Sequence, residues 1–177
     1  MEYKIKESKR AKHLRLNIYF DGSITLTKPL GVSDRAVFEF IKEKKDWIEK
    51  TLLGFNRSGN KDLLNTDRSH YLEYKERARK VIMDKLLHWS EVCNVKYNKV
   101  FIRRQRTLWG SCSSKKNLNF NYKLIFLPEE LVDYVIIHEL CHTKELNHSK
   151  NFWKLVSDII PDYREKEIKL KKIFKNG

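Results

Sequence analysis

Hydrophobic and polar positions along the chain change their period in a readable order. Leu14, Leu16 and Ile18 alternate with polar residues, and Ile24 and Leu26 resume the alternation after Asp21-Gly22. That pattern predicts a β-hairpin, with Pro29 and Gly31 ending it. Ser33 then reads as a helix N-cap, because Ala36, Val37, Phe40, Ile41, Trp47 and Ile48 recur at helical spacing behind it. The polar stretch Asn56-Arg57-Ser58-Gly59-Asn60-Lys61 is the natural linker. A second helix is predicted from near Tyr71 to near Trp89, with Ala78, Val81, Ile82, Leu86 and Trp89 inward. Val100 and Ile102 suggest a short strand, and Trp109-Gly110-Ser111-Cys112-Ser113-Ser114 a tight loop. Leu118, Phe120 and Tyr122 alternate in a further strand running through Phe126. Pro128 and Glu129-Glu130 open a helix whose run Leu131, Val132, Tyr134, Val135, Ile136, Ile137 is nearly continuous apolar sequence, so that helix is buried. A last helix carries Phe152, Trp153, Val156, Ile159 and Ile160 and is interrupted at Pro161, ahead of a basic tail.

At 177 residues, the expectation is a strand-and-helix lobe over residues 1–60 and a main domain over residues 61–177. A hydrophobic content of 41% supplies a core, while no apolar run approaches the 18 or so residues of a membrane span. Met1-Glu2-Tyr3-Lys4-Ile5-Lys6 has no apolar stretch behind its charges and does not read as a secretory signal. Three cysteines, Cys93, Cys112 and Cys141, give an odd number with no close pair, which points to a reducing, cytoplasmic setting.

The buried helix ends in His138-Glu139-Leu140-Cys141-His142. Residues four apart lie above one another on a helix, so the two imidazoles can grip one ion. Tetrahedral zinc accepts nitrogen ligands at about 2.0–2.1 Å. Glu139 stands next to the first ligand, where a carboxylate can take a proton from a water that the metal activates. A surface pair of histidines would need no such setting, whereas buried ones need a partner. A catalytic zinc site has three protein ligands and an open position. His148 is the preferred third ligand, since six residues let the chain turn back, with Asn147 suited to a left-handed turn. Glu165 or Glu167, further downstream, is the rival. Glu145 stands where a metzincin has glycine, and Met1 and Met83 are the only methionines, so no methionine turn follows and the metzincin pattern does not hold. Cys141 lies about 100° around the helix from His142 and should face away from the metal. Cys112 reads first as a small packed hydrophobe.

The net charge of +14 raises the question of an anionic partner, yet 26 of the 37 basic residues are lysines spread along the chain. Arg103, Arg104 and Arg106 form the one local cluster, just ahead of Trp109. With Ser111, these are the candidate substrate contacts. No separate nucleic-acid-binding module is visible, and the cysteines are too few for a zinc ribbon.

Trp109-Gly110-Ser111-Cys112-Ser113, Leu124, the apolar helix into His138-Glu139-Leu140-Cys141-His142, Asn147-His148-Ser149, Phe152-Trp153 and Pro161-Asp162-Tyr163 together resemble the YgjP-like metallopeptidase-domain family. Ser8-Lys9-Arg10-Ala11-Lys12, Arg15, the Gly22 hairpin, Pro29 and Trp47-Ile48 are similar to its N-terminal lobe. The resemblance implies a zincin-like (gluzincin-like) α+β domain distantly related to SprT-like proteases. It also implies His138, His142 and His148 as metal ligands and Glu139 as catalytic acid/base. Leu108 stands where the family usually has arginine, and Tyr122-Lys123 replaces its usual Trp-Arg. Arg106 is the residue to compensate.

The expected function is therefore a zinc-dependent hydrolase, foremost a metallopeptidase, with a strand near Leu118–Tyr122 aligning an extended peptide. The resemblance also implies an alternative, since some YgjP-like members are assigned as nucleotide pyrophosphatases: a nucleoside triphosphate (UTP) pyrophosphatase on the same site, compatible with activated water attacking phosphorus as well as carbon and with arginines that suit an anion. A nucleic-acid-associated protease and a purely structural zinc site are the further alternatives.

Overall fold

The computed structural model describes residues 2–19, 23–49, 52, 61–65 and 67–174. The chain forms two compact units, Met1–Leu64 with Lys171–Gly177, and Asn65–Leu170.

In the first unit, β2 (Arg15–Ile18) pairs antiparallel with β3 (Ile24–Pro29), with Leu16 opposite Leu26 and Ile18 opposite Ile24. This is the predicted hairpin. Its Asp21-Gly22 turn lies outside the described residues, as does most of the linker segment, residues 56–60. Ile24 and Leu26 bury one face of β3, as a period of two requires. A strand that the alternation did not predict, β1 (Lys4–Ser8), pairs parallel to β3 on its other side. It was illegible because Lys4-Ile5-Lys6-Glu7 is exposed throughout and buries no apolar face. Gly31 takes φ +82°, a conformation glycine adopts without strain. The Ser33 hydroxyl accepts from Ala36 N at 3.3 Å and caps α1 (Asp34–Glu43). The predicted continuous helix breaks at Lys44, then resumes over 45–49 to bury Ile48.

The second unit opens with α2 (Arg68–Val92), longer at both ends than its apolar spacing suggested, with Ala78, Ile82 and Leu86 fully buried. Val81 and Trp89 are only half-buried. The strands β4 (Val100–Arg103), β5 (Gly110–Cys112) and β6 (Leu118–Asn121) form a sheet in the order β4-β6-β5. β6 pairs parallel to β4 and antiparallel to β5. Residues Gly110–Cys112, predicted as loop, are therefore an edge strand. The strand predicted through Phe126 stops at Asn121 and becomes a 3₁₀ turn over Tyr122–Phe126. Asn121 is the cause. Its Oδ1 accepts from Lys123 N, while its Nδ2 donates to the Gln105 and Leu108 carbonyls at 2.9 and 3.0 Å. The buried amide thus satisfies the turn and holds the 105–108 segment.

Three helices follow: α3 (Glu129–Cys141), α4 (Lys150–Ile159) and α5 (Tyr163–Phe174). Ser149 Oγ caps α4 by accepting from Phe152 N, and Pro161 follows its end. Phe120, Tyr122, Leu124, Ile136, Ile137, Leu140, Phe152 and Val156 are fully buried in this unit's core. Burial of each large side chain is worth about 1.5–3 kcal/mol. No helix among the described residues is long and apolar enough to cross a membrane.

Candidate metal centre

The last turn of α3 carries His138 and His142 on one face, and the loop after it returns His148 to them. Ligand atoms of the three lie within 4.8 Å of one another. His138 Nε2 is 3.2 Å from His142 Nε2 and 3.0 Å from His148 Nε2. Nitrogens sharing one tetrahedral zinc would stand about 3.3 Å apart. The spacing, and a donor set made of imidazoles alone, fit a zinc ion. Neither Glu165 nor Glu167 belongs to this group, and Cys141 lies outside it. Asn147 is not left-handed. Its side chain shapes the return instead, with Oδ1 accepting from Ser149 N at 3.1 Å.

Two contacts orient the rings. His142 Nδ1 sits 2.8 Å from the Glu145 carbonyl, which can only accept, so Nδ1 carries the hydrogen and Nε2 presents its lone pair. Phe152 then touches all three imidazoles, its ring 4.3 Å from His142 (stacked), 4.8 Å from His148 and 4.9 Å from His138. Trp153 stands beside His148 and His138 and stacks on Tyr163. Burial, aided by the two neighbouring imidazoles, drives the His138 pKa down to about 3, so this ring is neutral and able to ligate. Burial also lowers His142, against the opposing bond to the Glu145 carbonyl.

Glu139 projects from the next position on α3 and is 6% exposed. Burial pushes its carboxyl up to about 8. A divalent cation beside it would act in the opposite direction. Its Oε2 has no hydrogen-bond partner among the described residues. An ideal Cβ built on Gly110 would lie 2.6 Å from Glu139 Cγ and 2.7 Å from Oε1, so the carboxylate rests directly on the β5 backbone. Cys112, two residues along the same face of β5, feels Glu139 as well. Burial first, then that carboxylate, raises its thiol to about 11, which keeps it protonated and unreactive.

The other candidate contacts fall on or near the sheet. Arg103 is exposed, its guanidinium 4.7 Å over the Phe101 ring and its Nε 3.4 Å from Asn119 Oδ1. Asn119 Nδ2 in turn donates to Ser111 Oγ at 3.3 Å, so Arg103 and Ser111 share the outer face. Arg104 and Arg106 are exposed on the segment after β4, whereas Trp109 is buried. Sequence reasoning missed the orienting roles of Phe152, the Glu145 carbonyl and Gly110. Phe152 and Gly110 were legible only as landmarks, and a backbone carbonyl leaves no trace in residue identity.

A family described as YgjP-like, metallopeptidase domain, matches residues 12–73 and 67–173. Two solved structures are similar over about half of the chain. The metallopeptidase zymogen of Pyrococcus abyssi abylysin is 28% identical, covering 50% of this chain and 90% of that one, with a TM-score of 0.47. The metallopeptidase zymogen of Methanocaldococcus jannaschii jannalysin is 26% identical, covering 51% and 94%, with a TM-score of 0.46. No curated protein sequence matches the chain.

Proposed function

We propose, from the premise that the chain belongs to the YgjP-like metallopeptidase-domain family, that it is a zinc peptidase with His138, His142 and His148 as ligands and Glu139 as general acid/base. The observation that carries this reading is the convergence of three imidazole nitrogens beside a buried carboxylate whose Oε2 is left without a partner among the described residues. Zinc held there supplies a Lewis acid that acidifies water and polarises a carbonyl. Glu139 accepts the proton of the attacking water and returns it to the leaving amine. Its reach to that proton depends on the β5 backbone, which fixes where its carboxylate lies. The neutral His138 and the carbonyl-anchored His142 keep the ligand nitrogens directed inward.

Substrate alignment falls to β5, because β6, favoured from the sequence, is the central strand and already paired on both sides. The bonds Asn121 N to Trp109 O and Ser113 N to Asn117 O set the phase of the antiparallel ladder. Ser111 then takes the bonds to β6, and the backbone groups of Gly110 and Cys112 turn outward. An extended peptide added at this edge runs past Glu139. Cys93, Cys112 and Cys141 are free thiols, which supports a reducing, cytosolic setting as part of the same reading.

The deciding experiment compares wild type and Glu139→Gln, matched for bound zinc, on a peptide library and on a mixed nucleoside triphosphate pool. Peptide cleavage that falls about 10²-fold or more in Glu139→Gln is the expected result. Triphosphate loss that vanishes in Glu139→Gln, with no peptide cut by either protein, would establish the pyrophosphatase alternative instead.

A further inference from the structure

Between Cys93 and Pro128, a segment that includes the whole β4-β6-β5 sheet, there is no aspartate or glutamate. The bases in it are not distributed evenly over that sheet. Lys96, Lys99, Lys115 and Lys116 gather at one end, all exposed. Backbone bonds hold their two loops together: Asn98 N donates to Lys116 O at 2.9 Å and Leu118 N to Lys99 O at 2.8 Å. Among the described residues, no carboxylate lies within ion-pair distance of these four lysines. Arg103, Arg104 and Arg106 occupy the other end, also exposed, on a segment that the Asn121 amide pins beside the start of β5. The nearest acids in sequence stand outside it, Glu91 on α2 and Glu129, whose carboxylate is bound to Lys85 Nζ at 2.6 Å.

The three-residue edge strand β5 spans roughly 10 Å and has cations at both ends, with Glu139 seated against its first residue, Gly110. We propose that this edge selects polypeptide substrates carrying acidic residues on both sides of the scissile bond. The proposal rests on the peptidase reading and names its substrate class. Complementary charge at the rim of a site raises the encounter rate and fixes register. A polynucleotide fits the surface less well, because stacking bases need open aromatic faces. Here the Phe101 ring is covered by the Arg103 guanidinium, and Trp109 is buried.

The test uses the zinc-loaded full chain and a cleavable host peptide with neutral flanks, or with Asp and Glu two to four residues to either side of the cut. The ratio of kcat/KM for acidic over neutral flanks should be about tenfold at low salt and fall towards one near about 1 M salt. Lys99→Glu/Lys115→Glu should cut the preference several-fold, the arginine end being left intact, while Lys80→Glu on α2, an exposed charge change outside the Cys93–Pro128 segment, should leave it unchanged. The salt series on wild type reads the same effect should the double variant fail to fold. Equal cutting of both peptides, or a preference that the double variant retains undiminished, would overturn the proposal. So would displacement of a labelled acidic peptide from Glu139→Gln by a single-stranded oligonucleotide at lower concentration than by polyglutamate. Failure to cut any peptide would sink the peptidase reading itself, and the proposal with it.

Discussion

Gly110→Ala should silence the site without emptying it of metal. An added methyl carbon would stand 2.6 Å from Glu139 Cγ, 2.9 Å from Cδ and 2.7 Å from Oε1. Ordinary carbon contacts need about 3.5 Å, so carboxylate and strand must part by close to an ångström. The strand cannot simply withdraw, because β5 is bonded to β6, and Ser111 lies opposite Asn119 in that ladder. The carboxylate, whose Oε2 has no hydrogen-bond partner among the described residues, is the side that moves. Overpacking of this kind costs about 1–3 kcal/mol of stability, and a misplacement of about 1 Å at a reacting group costs about 10²-fold in rate. The mutual spacing of the His138, His142 and His148 nitrogens is set by α3 and its return loop rather than by β5, and is expected to persist. Metal content by elemental analysis, urea unfolding and kcat on a cleaved peptide together separate the effects. The expected result is stoichiometric zinc, modest destabilisation, and kcat down about 10²-fold with KM little changed. Wild-type kcat in Gly110→Ala would refute the claim that this glycine sets the position of Glu139.

Phe152→Ala should act on the metal first, because one ring supports three imidazoles at 4.3–4.9 Å; zinc affinity measured against a chelator should fall about 10-fold or more, with about 3–5 kcal/mol lost in unfolding, and unchanged affinity would refute the supporting role. The Lys85 cluster should shape the stability-pH profile in a definite direction. Burial lowers the Lys85 pKa, but its hydrogen bonds to Asp133 and Glu129 outweigh that and leave it raised, while Glu129 is lowered by Lys85. A raised lysine stabilises fully below its unfolded pKa of about 10.5 and loses that contribution as pH climbs through the folded value; a lowered glutamate stabilises above about 4.5 and loses it as pH falls. Lys85→Met should therefore cost stability between those limits, about 1 kcal/mol at low salt, and little beyond them, as thermal denaturation across pH can check.

Periodicity located the elements that bury a face: the β2-β3 hairpin through Leu16, Ile18, Ile24 and Leu26, and α3 through its apolar run. It failed where burial is not what makes the element. β1 is held by backbone pairing to β3, and its side chains bury no apolar face. β5 consists of glycine, serine and cysteine, a composition that reads as turn until β6 is there to pair with it. The end of β6 was misjudged because Tyr122 continues the alternation, whereas the deciding residue is Asn121, whose amide makes a turn more favourable than another strand pair. In the candidate site, the spacing of His138, His142 and His148 named the residues that gather. The contacts that orient them come from Phe152, a backbone carbonyl and an absent side chain at Gly110, none of which has a spacing rule.

The imidazoles and their aromatic support all come from the short run His138–Phe152, while the wall behind Glu139 arrives from a hairpin far earlier in the chain. Proteins open in cooperative pieces of unequal stability. Loss of the β5-β6 hairpin would leave the run from α3 into α4 able to chelate, since closing so small a loop costs little entropy. Retained metal is then a poor witness of native structure in this protein. Hydrogen exchange at the β5-β6 amides reports the working enzyme where a zinc assay cannot.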